Sequence, residues 1–146
     1  MSTQIHATCV VLDGAGVLIC GPSGSGKSDL ALRLIDGGAC LVADDRVDMV
    51  DDGGVLVASA PANLAGMIEV RGLGIICMAH DRAAPVRCVI DLTDHDDIER
   101  LPPPRSMEIC GLPVSVFHFD GRDASATAKV RLAVALATGR IMRADD

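Results

Sequence analysis

The sequence predicts an α/β fold, a single P-loop domain over residues 1–146 with a mixed sheet. Three observations predict it. Gly21-Pro22-Ser23-Gly24-Ser25-Gly26-Lys27-Ser28 fits G-x-x-x-x-G-K-[ST] at every specified position. An apolar run before it and an amphipathic run after it supply the strand–loop–helix setting that this motif requires. Hairpin signals occur both ahead of the loop and well after it, so antiparallel pairs must join any parallel ones.

In order along the chain, residues 5–12 read as a strand, and Asp13-Gly14-Ala15-Gly16 turns it back into a buried strand at 16–20. A hairpin directly before a phosphate loop is not usual in a doubly wound sheet and predicts an atypical topology. The first helix runs over residues 29–36, rich in good helix formers, and Gly37-Gly38 closes it. Residues 39–43 form a short buried strand that runs into Asp44-Asp45. Residues 46–50 and 55–59 flank Asp51-Asp52-Gly53-Gly54, a hairpin signal. After a helical turn or loop at 61–67, two glycines interrupt the apolar run 68–76. The next strand is 88–92, followed by the acidic loop 93–99 and a break at Pro102-Pro103-Pro104. Residues 107–110 and 113–119 read as two strands joined at Gly111-Leu112. A last helix spans about 125–138 with Gly139 closing it, and Ala128, Val130, Leu132, Ala133, Val134 and Leu136 are spaced for burial on a sheet.

At 49% hydrophobic residues the chain can bury a core, and with Phe117 and Phe119 as its only aromatics that core must be aliphatic. The net charge is −7 and lysine occurs only at 27 and 129. A basic stripe and a base-stacking platform are both lacking, which argues against nucleic acid as the main partner. The six cysteines, at 9, 20, 40, 77, 88 and 110, form no C-x-x-C pair and mostly sit in apolar runs. They read as buried reduced thiols of a cytoplasmic protein. No apolar run reaches membrane-spanning length, and the first residues lack the basic start and long apolar stretch of a secretory signal.

The candidate chemistry starts at the loop. Its glycines let backbone N–H groups turn inward around a phosphate, and the start of the following helix adds a positive dipole end. Residues 21–28 are therefore the candidate binding segment for a nucleoside triphosphate or a similar polyphosphate. Lys27 is placed to reach the β- and γ-phosphates, and Ser28 can offer its hydroxyl to Mg2+. Asp44 and Asp45 end a strand, and ligands of open α/β sheets lie beyond the carboxyl ends of strands. At least one carboxylate should face the γ-phosphate, to hold Mg2+ or to take a proton from an attacking hydroxyl. Adjacent residues of an extended chain point to opposite sides, so the two should have different jobs. Asn63 is the only asparagine, which excludes the Asn-Lys-x-Asp motif of GTPases and the protein-kinase catalytic loop.

His6, the P-loop, Leu41-Val42-Ala43-Asp44-Asp45-Arg46-Val47 and Ile68-Glu69-Val70-Arg71-Gly72-Leu73-Gly74-Ile75-Ile76 occur in an order and spacing that resembles the bacterial HPr kinase/phosphorylase family. The last stretch is the most specific, and the resemblance covers about the whole chain, as a catalytic domain without the family's N-terminal domain. It implies a fold like the nucleotide domain of phosphoenolpyruvate carboxykinase, which accommodates the early hairpin. It implies transfer of the ATP γ-phosphoryl to a serine of HPr, the small phosphocarrier of a bacterial phosphotransferase system. In many members inorganic phosphate also attacks phosphoserine in the reverse direction. By the same resemblance Asp45 is the proton acceptor, Asp44 helps to position metal or water, and Glu69 joins Ser28 on Mg2+. His6 would contact the transferred phosphoryl group, and Arg100, in Ile98-Glu99-Arg100-Leu101, would be a catalytic arginine. A homo-oligomer is also implied.

One departure stands out. The family's Pro-Val-x-Pro-Gly-Arg-Asn loop, tied to dephosphorylation, corresponds here to residues 116–123, which keep Gly121-Arg122 but lose the proline and the asparagine. Asp120 would disfavour inorganic phosphate nearby, so a kinase with weak phosphorylase activity is expected. His80, His95 and His118 have no metal-ligand spacing and read as surface or loop residues. Two other readings stay open. One is a small-molecule P-loop kinase, for which no arginine-rich lid stands out. The other is a non-catalytic ATP-sensing module, against which the retention of both Asp44 and Asp45 speaks.

Overall fold

The computed structural model describes residues 1–144. In chain order they form β1 (Ser2–Ile5), β2 (Thr8–Leu12), β3 (Ala15–Cys20), α1 (Lys27–Asp36), β4 (Cys40–Ala43), β5 (Val47–Asp52) and β6 (Val55–Ser59). Then come β7 (Met67–Val70), β8 (Gly74–Cys77), β9 (Ala83–Leu92), β10 (Arg105–Ile109), β11 (Leu112–Phe119) and α2 (Ala126–Ala137). Single 3-10 turns lie at Ala62–Leu64 and His95–Asp97.

Nine strands make one curled mixed sheet, and β7 with β8 makes a separate two-stranded one. The pivot is β9. Its first residues pair antiparallel with β6, Ala84 against Ala58. Further along it lies parallel to β3 and β11, with Cys88 opposite Val17 on one side and Ser115 on the other. From β6 the sheet continues through β5 to β1, and from β3 through β2 to β4, while β10 flanks β11. Gly16 permits the close approach of β3 to β9. A Cβ there would lie 2.7 Å from the Pro85 carbonyl oxygen, beside a shift in register.

Alternation along the strands divides the core in two. Val17, Ile19, Cys88 and Ile90 pack against Leu30, Ala31 and Leu34 of α1 and Ala126, Val130, Ala133 and Val134 of α2. Leu18 and Val89 point the other way, onto Val47, Met49 and Ala58 of the outer strands, which curl over that face. Leu18, Ile19, Leu30 and Leu34 are completely buried, each worth about 1.5–3 kcal/mol relative to exposure.

The hairpin expected ahead of the loop is present, turned at Asp13 and Gly14 with φ of 50° and 79°. The expected strand 5–12 is instead two strands. The chain bends at His6, so that β1 pairs with β5 while β2 pairs with β3 and β4. The strand expected at 88–92 begins at Ala83; its first half alternates exposed and buried, and the outward Pro85 and Arg87 obscure that pattern. On α2 the expected burial of Ala128 and Leu132 does not occur. Both are exposed, Leu132 by 56%, because the sheet takes only the face that carries Ala126, Val130 and Val134. Among the described residues no helix is long and apolar enough to cross a membrane.

Candidate active site

β3 and β4 both run antiparallel to β2, so they point the same way, and β9 and β11 run parallel to β3. Four strand ends therefore open on one edge of the sheet, where a ligand of an open α/β sheet is expected. The glycine-rich loop leaves β3 on that edge and enters α1. Gly24 and Gly26 have φ of 81° and 93° with open space where a Cβ would stand. Glycine is needed there for the left-handed backbone rather than for room. The loop is pinned by Ser25 N–H on the Pro22 carbonyl (3.0 Å) and Leu30 N–H on the Gly26 carbonyl (2.9 Å). Inside it, the Ser25 Oγ is buried without a hydrogen-bond partner, an arrangement that costs about 1–3 kcal/mol. Lys27 is nearly buried and folds back over the loop, its Nζ donating to the carbonyls of Gly21 (2.8 Å) and Pro22 (3.1 Å).

Asp44, at the end of β4, is 6% exposed, and three donors converge on it. Thr8 Oγ1 (2.8 Å) and Ser28 Oγ (2.7 Å) donate to its Oδ1, and the Glu69 N–H (3.0 Å) donates to its Oδ2. The carboxylate thus ties β2, the start of α1 and β7 to one point. Glu69 is exposed and lines, with Gly24, Gly26, Ser28 and Arg71, a cavity of about 560 Å³. Thr8 was not singled out from the sequence; the signal was a polar residue in the otherwise apolar TCVVL, and it is completely buried.

Asp45 goes elsewhere. Its φ of 69° is uncommon for a residue with a side chain. That conformation leaves its carboxylate 63% exposed, with Oδ1 2.9 Å from His6 Nε2. The bend that divides β1 from β2 is what sets the His6 ring beside it. The two aspartates therefore diverge, through the left-handed backbone of Asp45 rather than through the alternation of an extended strand, which ends at Ala43. The structure places Ser28 and Glu69 on one cavity, ties Asp44 to both, folds Lys27 over the loop, and joins His6 to Asp45; Lys27, His6, Asp44 and Asp45 do not themselves line that cavity. It does not bring Arg100 to them. Arg100 is exposed beyond the His95–Asp97 turn, is absent from the lining of that cavity, and makes no side-chain hydrogen bond or ion pair among the described residues.

On the other flank of the loop, Arg122 Nε and Nη2 donate to Asp120 (3.0 and 2.9 Å), whose oxygens also accept the N–H groups of Arg122 and His95. The Arg122 guanidinium, then these backbone donors, hold the Asp120 carboxyl well below the usual carboxylate range. Burial pushes the Cys9 and Cys88 thiols up to about 12, and burial with Asp91 nearby pushes Cys20 up to about 11. These three stay protonated, which removes them as nucleophiles; Cys77 is the exposed thiol. His118 is no loop residue but sits in β11, beside Asp91 (3.5 Å). Among the described residues no cluster of three or more His, Cys, Asp or Glu is built to hold a metal.

Comparison with known proteins agrees with this architecture. An HPr kinase/phosphorylase of Clostridium tetani is 53% identical over 74 residues, which is 51% of this chain and 24% of that protein. One of Geobacillus sp. is 51% identical over 78 residues, covering 53% and 25%. The chain thus matches about a quarter of the length of these relatives. The structure of the Hpr(Ser) kinase/phosphatase from Coxiella burnetii superposes with a TM-score of 0.84 at 29% identity, over 94% of this chain and 97% of that one. Residues 1–118 match the family described as the HPr Serine kinase C-terminal domain, and the chain belongs to it.

Proposed function

We propose that this chain is an ATP-dependent protein serine kinase that phosphorylates HPr, with residues 21–28 as its P-loop and a fold akin to the nucleotide domain of phosphoenolpyruvate carboxykinase. The observation that carries the reading is the divergence of Asp44 and Asp45, which separates a positioning carboxylate from an available one. The loop suits a triphosphate on its own terms. Glycines set its backbone, a buried Ser25 hydroxyl lacks a partner, and Lys27 rests on carbonyls from which it can swing.

In this proposal Ser28 and Glu69 hold Mg2+, which supplies charge neutralisation on the phosphates, and Mg2+ ordinarily takes only one or two protein ligands beside phosphate oxygens. Asp44 takes the Ser28 hydroxyl hydrogen, leaving the oxygen lone pairs to face the cavity. Asp45 accepts the proton of the incoming serine hydroxyl as its oxygen attacks the γ-phosphorus, and the bond from that phosphorus to the β–γ bridging oxygen breaks to release ADP. His6 holds one Asp45 oxygen, next to the transferred group, and leaves the other for that proton. Lys27 stabilises the developing phosphate charge, and Arg100, exposed beyond the His95–Asp97 turn, is given no part in the step.

Phosphorolysis is proposed to be weak, because Arg122 is already engaged by Asp120 and Asp94. A cytoplasmic homo-oligomer without nucleic-acid or membrane partners completes the proposal, supported by family membership and the acidic charge. The test is labelled ATP with HPr, against HPr carrying alanine at its acceptor serine. Serine-dependent label is the expected result. ATP binding with no label on HPr would favour an ATP-sensing module and overturn the kinase.

A further inference from the structure

Pro102, Pro103 and Pro104 leave an opening in the sheet that the reaction above does not use. The antiparallel ladder of β10 on β11 ends with Arg105 opposite Val116. Two residues further along β11, the partner position would be 103, and proline has no N–H to give. β11 nevertheless continues to Phe119, paired along its other edge with β9. Thr93 N–H donates to the Phe119 carbonyl (2.8 Å), so Phe117 and Phe119 turn their peptide groups toward β9. His118, one residue out of phase, turns its N–H and C=O toward the edge that β10 has left. That edge opens into a cavity of about 460 Å³, walled by Ile98, Pro102, Pro103, Phe117 and Phe119. The cavity shares Thr93 with a second one, of about 270 Å³, that reaches Pro22, Ser23 and Ser25 of the loop. The two cavities therefore adjoin at Thr93, which places the open strand edge next to the loop.

We propose that the cavity at His118 receives the adenine base of the nucleotide, a proposal that rests on the kinase reading for the position of the triphosphate. Adenine presents an N–H donor beside a ring-nitrogen acceptor, the complement of one carbonyl and one N–H on a strand edge. Its flat faces suit the proline and phenylalanine walls, and the volume is in the range of small-molecule sites. Asp97 and Glu99 border the same cavity together with Arg105 and Arg143, so the direction of the nucleotide follows from the place of the triphosphate at the loop rather than from the charge of this cavity. The His118 side chain is taken up by Asp91 (3.5 Å) and Thr93 (3.3 Å), so its backbone rather than its ring reads the base.

The test is calorimetric titration of the full chain with ATP and with inorganic tripolyphosphate, a base-free probe, both in Mg2+. His118→Pro removes the edge N–H without breaking a ladder bond, His118→Ala removes the ring and keeps the N–H, and Ile98→Trp fills the cavity. His118→Pro and Ile98→Trp should each weaken ATP binding about tenfold, the worth of a hydrogen bond or its burial. Tripolyphosphate binding should stay as in the wild type, and His118→Ala should bind ATP as the wild type does. Unchanged ATP affinity in both His118→Pro and Ile98→Trp overturns the base site and leaves the loop reading standing. A wild type that binds neither probe overturns the loop reading as well. If His118→Pro melts early, Ile98→Trp decides alone.

Discussion

Asp44 and Asp120 are the two buried carboxylates among the described residues, each 6% exposed, and each ends a strand on the same edge of the sheet. Their surroundings differ in one respect. Asp120 is gripped by the guanidinium of Arg122, two residues away, so its charge is cancelled within its own turn. Asp44 receives only neutral donors, two hydroxyls and a peptide N–H. Neutral dipoles hold an ionised carboxylate without cancelling its charge, and that charge remains available to an incoming cation. Equal burial therefore does not mean equal role. The self-neutralised aspartate closes a turn, and the one without a cationic partner marks where the chemistry is proposed to occur.

The comparison is broken most directly at Asp45, the exposed neighbour of Asp44, where the largest effect is expected. Asp45→Asn should lower the rate of serine phosphorylation by about 10²–10⁴-fold, the usual worth of a general base. The melting temperature should barely change, since the side chain is mostly exposed. A wild-type rate in that variant would move the base to Asp44 and undo the division of labour. Asp44→Asn should instead cost stability. Its amide must either turn an N–H to the Glu69 N–H or donate to the two hydroxyls, whose own hydrogens then lose their acceptor, a loss of about 1–3 kcal/mol in urea unfolding. Thr8→Val, which removes one of those hydroxyls and keeps the shape, should cost about 0.5–1.5 kcal/mol by the same measurement.

Asp120→Asn sharpens the other half. The carboxyl of Asp120 is depressed in the folded protein, so its contribution is fully present above its unfolded value of about pH 4 and is lost as the pH falls below that. The stability difference between wild type and Asp120→Asn should be flat at neutral pH and shrink below about pH 4. A difference that grows in acid would mean that Asp120 is not held ionised by Arg122.

The loop was legible because its motif is contiguous and the strand and helix beside it are strongly patterned. The carboxylates were legible as a pair at a strand end, but their division was not. It depends on the left-handed backbone of Asp45, which no residue type announces, and on a bend at His6 inside what reads as one strand. The Glu69 N–H on Asp44 joins residues 25 apart through backbone, so composition carries no trace of it. Asp120 read as a repeller of phosphate because its partner two residues on could have pointed anywhere. The early half of β9 was lost for a local reason, since a proline and an arginine occupy its outward positions.

The double membership of β9 has a mechanical corollary. Because one strand is stitched to β6 at its start and to both β3 and β11 at its end, the outer ribbon and the loop-bearing half have no seam along which to part. Slow amide exchange of Val89 and Ile90 should coincide with that of Met49 and Ala58, as one cooperative unit. A tug on the outer ribbon would then be felt at the glycine-rich loop without any hinge to absorb it.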